Sequence, residues 1–153
     1  MQVATNYQPD VCADDIYYST AGATVGMAPG SSEHFDFIVQ NDGTKKDTLV
    51  LKGGFFAADE PGARAAIELD NLELRWFRGT KDVTEKMAAG KLKLRNVGSQ
   101  EVKPTSDPPL RAEVTASTDA TDEDDAVVVL LAHSKHKPTR QDLFSANFRV
   151  FEA

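Results

Sequence analysis

The sequence has one cysteine, Cys12, among 153 residues, and this scarcity excludes an intramolecular disulfide. The fold must therefore be held together by packing, unless a metal or an oligomer contributes. The neighbours of Cys12 are Val11, Ala13, Asp14 and Asp15, and none of them is a base that would activate a nucleophile. We therefore expect Cys12 to behave as a small apolar residue.

Long apolar runs are absent as well. The longest, from Ala126 to Ala132, has seven residues. It fits a buried strand and falls well short of the roughly 20 residues that a transmembrane helix needs. The residues after Met1 lack the charged and apolar regions of a signal peptide. We predict no membrane insertion, and the start of the sequence is compatible with a cytoplasmic chain or with a mature form.

Basic residues are fewer than acidic residues. The sequence has 17 lysines and arginines and 24 acidic residues, so its net charge is -7. This balance argues against nucleic acid and anionic membranes as partners, since both favour a basic face. An acidic surface also promotes solubility. The apolar fraction of 41% and the charged fraction of 27% are typical of one globular domain with a full hydrophobic core.

The segment from Glu33 to Lys52 carries the clearest structural signal, because two alternating stretches flank Asn41-Asp42-Gly43. Apolar residues occupy every second position on both sides of this turn: Phe35, Phe37, Val39, Leu49 and Leu51. Period-two alternation around a connector with glycine predicts two antiparallel strands joined as a hairpin. The following Gly53-Gly54 pair predicts a bend or a bulge at the strand end.

Further alternating stretches follow, and helix signals are nearly missing. They cover about residues 67–77, 91–95, 110–117, 126–132 and 144–151. With the first hairpin and a short stretch near residue 17, they predict about seven to nine short strands. We therefore predict an all-β fold, an antiparallel β-sandwich. A closed barrel is the alternative, which the uneven strand spacing and the long connections disfavour.

An ordered set of short segments adds a family resemblance. The segments are Gln8-Pro9-Asp10, Asp15-Ile16-Tyr17 with Thr20 and Gly22, Val39-Gln40-Asn41-Asp42-Gly43 with Asp47-Thr48, Trp76-Phe77-Arg78-Gly79-Thr80-Lys81-Asp82-Val83-Thr84, Ser117-Thr118, and Asp125-Ala126-Val127. In this order they resemble an immunoglobulin-like repeat domain of large bacterial cell-surface and secreted proteins, over about residues 8–132. The resemblance implies an immunoglobulin-like sandwich, an extracellular or cell-surface location, a spacing, display or binding role, and no catalytic residues.

The sequence departs from this family pattern in two places. Between Leu94 and Leu110 it is short and rich in proline, so a strand of the family is expected to be lost or reduced. Residues 134–153 extend beyond the usual end. We therefore divide the chain into an immunoglobulin-like sandwich, 1–132, and a connector with a C-terminal strand, 133–153, that packs on the same or a neighbouring domain. Four residues of that strand are the predicted assembly residues: Phe144, Phe148, Val150 and Phe151.

The acidic stretch from Asp119 to Asp125 is the candidate metal site. Calcium takes six to eight oxygen ligands, and closely spaced carboxylates in one loop can supply several of them. The predicted ligands are Asp119, Asp122, Asp124 and Asp125. The spacing does not match an EF-hand loop, and the alternative is a solvated turn whose charges protect a strand end. Asp10, Asp14 and Asp15 form a second, weaker acidic group.

Other chemistry has little support in the sequence. His133 and His136 lie in a lysine-rich connector, which disfavours zinc, and His34 stands apart from them. No nucleophile–base motif and no phosphate-binding loop is present, so we predict that the chain is not an enzyme and has no catalytic residues. Trp76 lies in an alternating strand and is predicted to belong to the core. The alternative is a sugar-stacking platform with the tyrosines Tyr7, Tyr17 and Tyr18.

Two functions from different classes follow. The leading prediction is a non-catalytic structural, assembly or adhesion module of a bacterial cell surface or appendage, whose partners are proteins and which self-associates through its C-terminal strand. The alternative is a carbohydrate-binding module with a structural calcium ion, which a ring of exposed aromatic side chains would favour. A third reading, a small hydrolase, would need a deep cleft with two convergent carboxylates.

Overall fold

The structure is a computed structural model, and it describes residues 9–13, 23–41, 45–55, 64–97 and 110–151. These residues form eleven strands and one short helix. The elements are β1 (Pro9–Ala13), β2 (Ala23–Met27), β3 (Ser32–Asn41), β4 (Asp47–Phe55), β5 (Glu68–Leu69), β6 (Leu72–Arg78), β7 (Lys81–Asp82), α1 (Thr84–Ala88), β8 (Leu92–Val97), β9 (Leu110–Ala116), β10 (Asp125–Ser134) and β11 (Gln141–Val150).

The strands form two sheets that pack face to face. Sheet I has the order β1-β3-β9-β6-β5, and β7 also pairs with β6. Sheet II has the order β2-β11-β10-β4-β8. The predicted all-β sandwich is confirmed. Nine strands have five or more residues, which agrees with the predicted number, and β5 and β7 are additional pairs of two residues.

The predicted hairpin around Asn41-Asp42-Gly43 is wrong in its pairing. Both strands exist, but β3 pairs with β1 and β9 in sheet I, whereas β4 pairs with β8 and β10 in sheet II. The connection therefore crosses from one sheet to the other. Alternation shows only that each strand has one buried face, and strands of two facing sheets satisfy this pattern as well as two paired strands do. Residues 42–44 lie outside the described residues.

One strand pair also departs from the antiparallel prediction. β11 pairs with β10 in antiparallel direction and with β2 in parallel direction, with Phe148 opposite Val25. β2 and β11 are far apart along the chain, so no short turn forces them to run in opposite directions. A period of two residues is the same for both directions and cannot distinguish them.

The predicted bend at Gly53-Gly54 is also wrong. Both glycines lie in β4 in regular register with β10, opposite Leu130 and Val129. The irregularity of β4 lies at its other end, where the register with β8 shifts between Asp47 and Leu49. The glycines instead make room for neighbours, since a Cβ atom on either would lie 2.5 Å from another heavy atom.

The core between the sheets contains a cluster of four aromatic side chains. Phe35, Phe37 and Trp76 come from sheet I, and Phe144 comes from sheet II. The ring centroid of Phe37 lies 4.9 Å from that of Phe35, 5.5 Å from that of Trp76 and 6.2 Å from that of Phe144. Such distances suit edge-on and tilted aromatic contacts. The prediction that Trp76 belongs to the core is confirmed.

Candidate functional site

The loop between β9 and β10 contains the acidic stretch that was predicted to bind calcium. Oδ2 of Asp124 accepts a hydrogen bond from the backbone N of Thr121 at 2.8 Å and one from Nδ2 of Asn71 at 3.1 Å. Oδ1 of Asn71 in turn accepts a hydrogen bond from the hydroxyl of Ser117 at 3.1 Å. Asp124 therefore fastens this loop to the turn between β5 and β6.

The other three predicted calcium ligands, Asp119, Asp122 and Asp125, are exposed to solvent. Within the described ranges, no three or more His, Cys, Asp or Glu side chains lie close enough together to hold a metal ion. The structure thus does not bring the four carboxylates together, and they would have to converge to bind calcium. The calcium site stays a prediction. Of the second acidic group, only Asp10 lies in the described residues.

The predicted assembly residues of the C-terminal strand divide between core and surface. Phe144, Phe148 and Val150 are buried, because β11 lies between β10 and β2 and faces sheet I. Phe151 is 54% exposed, and the guanidinium carbon of Arg149 lies 5.7 Å from its ring centroid. Of the four, only Phe151 could contact a partner without disrupting β11. Self-association through this strand stays a prediction, as does the role of residues 133–153 as a separate unit.

A pocket of about 500 Å³ lies beside β6 and carries several charged groups. Arg75 stands between two carboxylates, 3.1 Å from Glu73 and 3.7 Å from Asp82. The hydroxyl of Thr84 donates to Oδ1 of Asp82 at 2.6 Å, and this bond, aided by one from the Thr84 backbone N, lowers the pKa of Asp82. Asp82 is thus held ionised, which is the opposite of what a general acid of a hydrolase needs.

Thr84 also closes the edge of β6 in this pocket. Its Oγ1 accepts a hydrogen bond from the backbone N of Trp76 at 2.9 Å, while the N of Val83 donates to the O of Trp76 at 2.8 Å. Farther along the strand, the N of Leu74 donates to the O of Ile67 at 2.8 Å. These bonds occupy backbone groups that an added strand would need, so this edge of sheet I is protected against pairing with another chain.

We expect replacement of Thr84 by valine to lower the free energy of unfolding by about 1–3 kcal/mol. Valine matches the shape of threonine but leaves the buried N–H of Trp76 without an acceptor. Chemical denaturation of the wild type and of Thr84→Val would measure the loss. Thr84→Ser keeps the hydroxyl and is the matched control, so an equal loss in both variants would show that the hydrogen bond is unimportant.

A buried carboxylate fastens the loop between β10 and β11. The side chain of Asp47 at the start of β4 is fully buried, and its Oδ1 lies 2.7 Å from Nδ1 of His136. Its Oδ2 has no hydrogen-bond partner in the described part of the chain. The backbone N of Lys135 donates to the O of Thr48 at 2.9 Å, which holds the same loop against β4. This contact could not be predicted from local sequence patterns, because its partners are 89 positions apart.

His133 lies on β10, the central strand of sheet II, and is half-buried. Burial lowers its pKa from the ordinary value of 6.5, and the nearby charge of Asp47 opposes this effect. A histidine with a lowered pKa in the folded state contributes stability that is fully present above about pH 6.5 and is lost as the pH falls through the folded-state pKa.

We therefore expect the wild type to lose more stability between about pH 7 and about pH 5 than a His133→Gln variant does. Glutamine cannot take up a proton, so the difference between the two proteins isolates the contribution of His133. Denaturation curves at several pH values would measure it. Equal pH dependence of both proteins would contradict the lowered pKa.

Exposed aromatic side chains are few on the described surface. Phe151 is exposed and Phe77 is half-buried, whereas the six aromatic residues in the core are hidden: Phe35, Phe37, Phe55, Trp76, Phe144 and Phe148. Tyr7, Tyr17 and Tyr18 lie outside the described residues. The described ranges therefore hold no ring of aromatic side chains that would favour the carbohydrate-binding alternative.

Across the described ranges, no helix has both the length and the apolar composition that crossing a membrane requires.

Comparison with known proteins supports the fold and leaves the family open. No protein-family profile and no curated protein matches this sequence. Among solved structures, a family 123 glycoside hydrolase from Clostridium perfringens is similar at a TM-score of 0.51 and 10% identity, over 97% of this chain and 28% of that one. The chain thus spans less than a third of that enzyme.

Two further structures are similar at lower scores. The PapD-like domain 7 of human CEP192 has a TM-score of 0.43 and 12% identity, over 100% of this chain and 92% of that one. Domains 4 and 5 of the S-layer protein SbsC have a TM-score of 0.42 and 10% identity, over 94% of this chain and 54% of that one. The chain is an all-β sandwich of two sheets, as the sequence predicted.

Proposed function

We propose that this chain is a non-catalytic structural module of a bacterial cell surface or extracellular appendage, and that its partners are proteins. The observation that carries this proposal is the use of its polar constellations. Asp124, Asp47 and Asp82 each hold a loop or a strand edge in place through short hydrogen bonds. Carboxylates used in this way stabilise the fold, and this use supports a structural role over a catalytic one.

The family resemblance over residues 8–132 supports the same function. Two of the segments that carry this resemblance form specific contacts in the sandwich. Asp47-Thr48 begins β4, where Asp47 meets His136, and Asp82-Val83-Thr84 closes the edge of β6. The first segment holds the loop between β10 and β11 against β4, and the second covers a strand edge of sheet I. Both contacts suit a module that works as a spacer or a display unit. We infer from this that the chain is one of the immunoglobulin-like repeat domains that it resembles.

The proposal is tested by locating the protein on cells of the organism that produces it. Antibodies against the purified chain should label intact cells, and external protease should remove the antigen without lysing them. A cytosolic enzyme, which must stay protected, is the control. Antigen that is reached only after lysis would contradict the proposed location.

A further inference from the structure

The two ends of the sandwich carry opposite charge, and β10 joins them. β10 runs from Asp125 to Ser134, and ten residues of extended strand span roughly 30 Å. The loop before Asp125 belongs to one end, and the loop after Ser134 belongs to the other.

The basic end is formed by the loop between β10 and β11 together with the residues before β4. Its cationic side chains are Lys45, Lys46, Lys135, Lys137 and Arg140. The four lysines are exposed, and none of the five cations forms an ion pair with a described residue. The bond from the N of Lys135 to the O of Thr48 brings the two segments together.

Two carboxylates near the basic end are already engaged. Asp47 is buried against His136. Oδ2 of Asp142 accepts a hydrogen bond from the backbone N of Val11 at 2.9 Å. Neither one neutralises the exposed lysines. The half-buried Asp10 of β1 is a further carboxylate toward this end, and the five cations outnumber these three carboxylates, so the described part of this end presents net positive charge to solvent.

The acidic end is formed by the loop between β9 and β10 together with the turn between β5 and β6. Its exposed carboxylates are Asp70, Asp119, Asp122, Glu123 and Asp125. The contact of Asn71 with Asp124, at 3.1 Å, holds the loop and the turn side by side. Arg149, opposite Asp125 on β11, is a cation in this region, and it lies over the ring of Phe151.

We propose that copies of this chain associate head to tail, with the basic end of one copy against the acidic end of the next. The inference rests on the proposed structural function and names its partner as a second copy. Contact between like ends would bring equal charges together, which disfavours a two-fold dimer through either end. A head-to-tail contact uses two different surfaces and can be repeated, so it builds an open row or a ring.

The test is sedimentation velocity of the full chain over a range of concentrations and at two ionic strengths. At about 20 mM salt, the average mass should rise with concentration above the 16.6 kDa of one chain. At about 0.5 M salt it should return to that of one chain, because screening removes attraction between exposed charges. A single-chain mass at low salt, up to about 100 μM protein, would overturn the proposal.

Charge reversal identifies the surfaces. A basic-end variant, Lys135→Glu with Lys137→Glu, and an acidic-end variant, Asp122→Lys with Glu123→Lys, should each weaken self-association at least about tenfold. An equimolar mixture of the two variants should associate again, because the reversed ends complement each other. Failure of the mixture to associate would overturn the head-to-tail arrangement.

A matched control separates the ends from the overall charge. Lys86 on α1 and Lys91 just before β8 are exposed and lie beside the middle of β4, away from both ends, and Lys86→Glu with Lys91→Glu changes the net charge as much as the basic-end variant does. This control should associate like the wild type, and an equal loss would overturn the proposal. A surface-located protein that stays a single chain would refute this inference alone, whereas an associating protein confined to the cytosol would refute the proposed function.

Discussion

Replacing Trp76 by alanine should lower the free energy of unfolding by about 3–5 kcal/mol, the largest loss that we expect from one side chain. The indole is fully buried and belongs to β6 of sheet I. It contacts Phe37 in its own sheet and reaches the backbone of Gly53 in β4 of sheet II. Its removal therefore opens a cavity between the sheets that neighbouring side chains cannot fill without moving a strand.

Chemical denaturation of the wild type and of Trp76→Ala would measure this loss. Phe151→Ala is the control, because Phe151 is a large aromatic residue that is 54% exposed, and it should change stability by less than about 0.5 kcal/mol. Trp76→Phe should lose clearly less than alanine, since Nε1 of Trp76 has no hydrogen-bond partner to forfeit among the described residues. A loss below about 1 kcal/mol for alanine would contradict a structural role of the indole.

The strands themselves were predictable because alternation records which side of a strand is buried. Phe35, Phe37 and Val39 are all buried as the pattern required. The same pattern carries no information on the partner strand, so it could not show that β3 and β4 belong to different sheets. Nor could it show that β11 runs parallel to β2, since both directions share one period.

The polar contacts that hold the loops were beyond sequence reasoning for a related reason. Asn71 and Asp124 are 53 positions apart, and Asp47 and His136 are 89 positions apart. Local patterns describe neighbours along the chain, whereas these pairs form only after the sheets have packed. Sequence reasoning identified the acidic stretch around Asp124 as chemically unusual, but it could not anticipate that Asp124 turns inward to accept two hydrogen bonds.

Glycine substitutions in β4 should also destabilise the protein strongly, and they test the packing of the two sheets directly. A Cβ atom on Gly53 would lie 2.5 Å from Cζ2 and 2.9 Å from Cε2 of Trp76. A Cβ atom on Gly54 would lie 2.5 Å from Cβ of Ala65 and 2.6 Å from the backbone O of Ala66. Each Gly→Ala change should lower the free energy of unfolding by about 1–3 kcal/mol, because the neighbours are packed and must shift.

Gly26→Ala and double variants with Trp76→Phe distinguish crowding by the Trp76 indole at Gly53 from crowding by Ala65 and Ala66 at Gly54. Gly26→Ala is the control, since its Cβ would approach the exposed ring of Phe151 at 2.9 Å, and this ring can move into solvent. It should change stability little. In a Trp76→Phe background, Gly53→Ala should be less damaging than in the wild type, because the phenyl ring does not reach as far as the indole. Gly54→Ala should be equally damaging in both backgrounds, since its obstacles are Cβ of Ala65 and the backbone O of Ala66, and neither belongs to Trp76. If Trp76→Phe relieved both glycine variants alike, the close approach of the indole to β4 would not explain why glycine is needed at position 53.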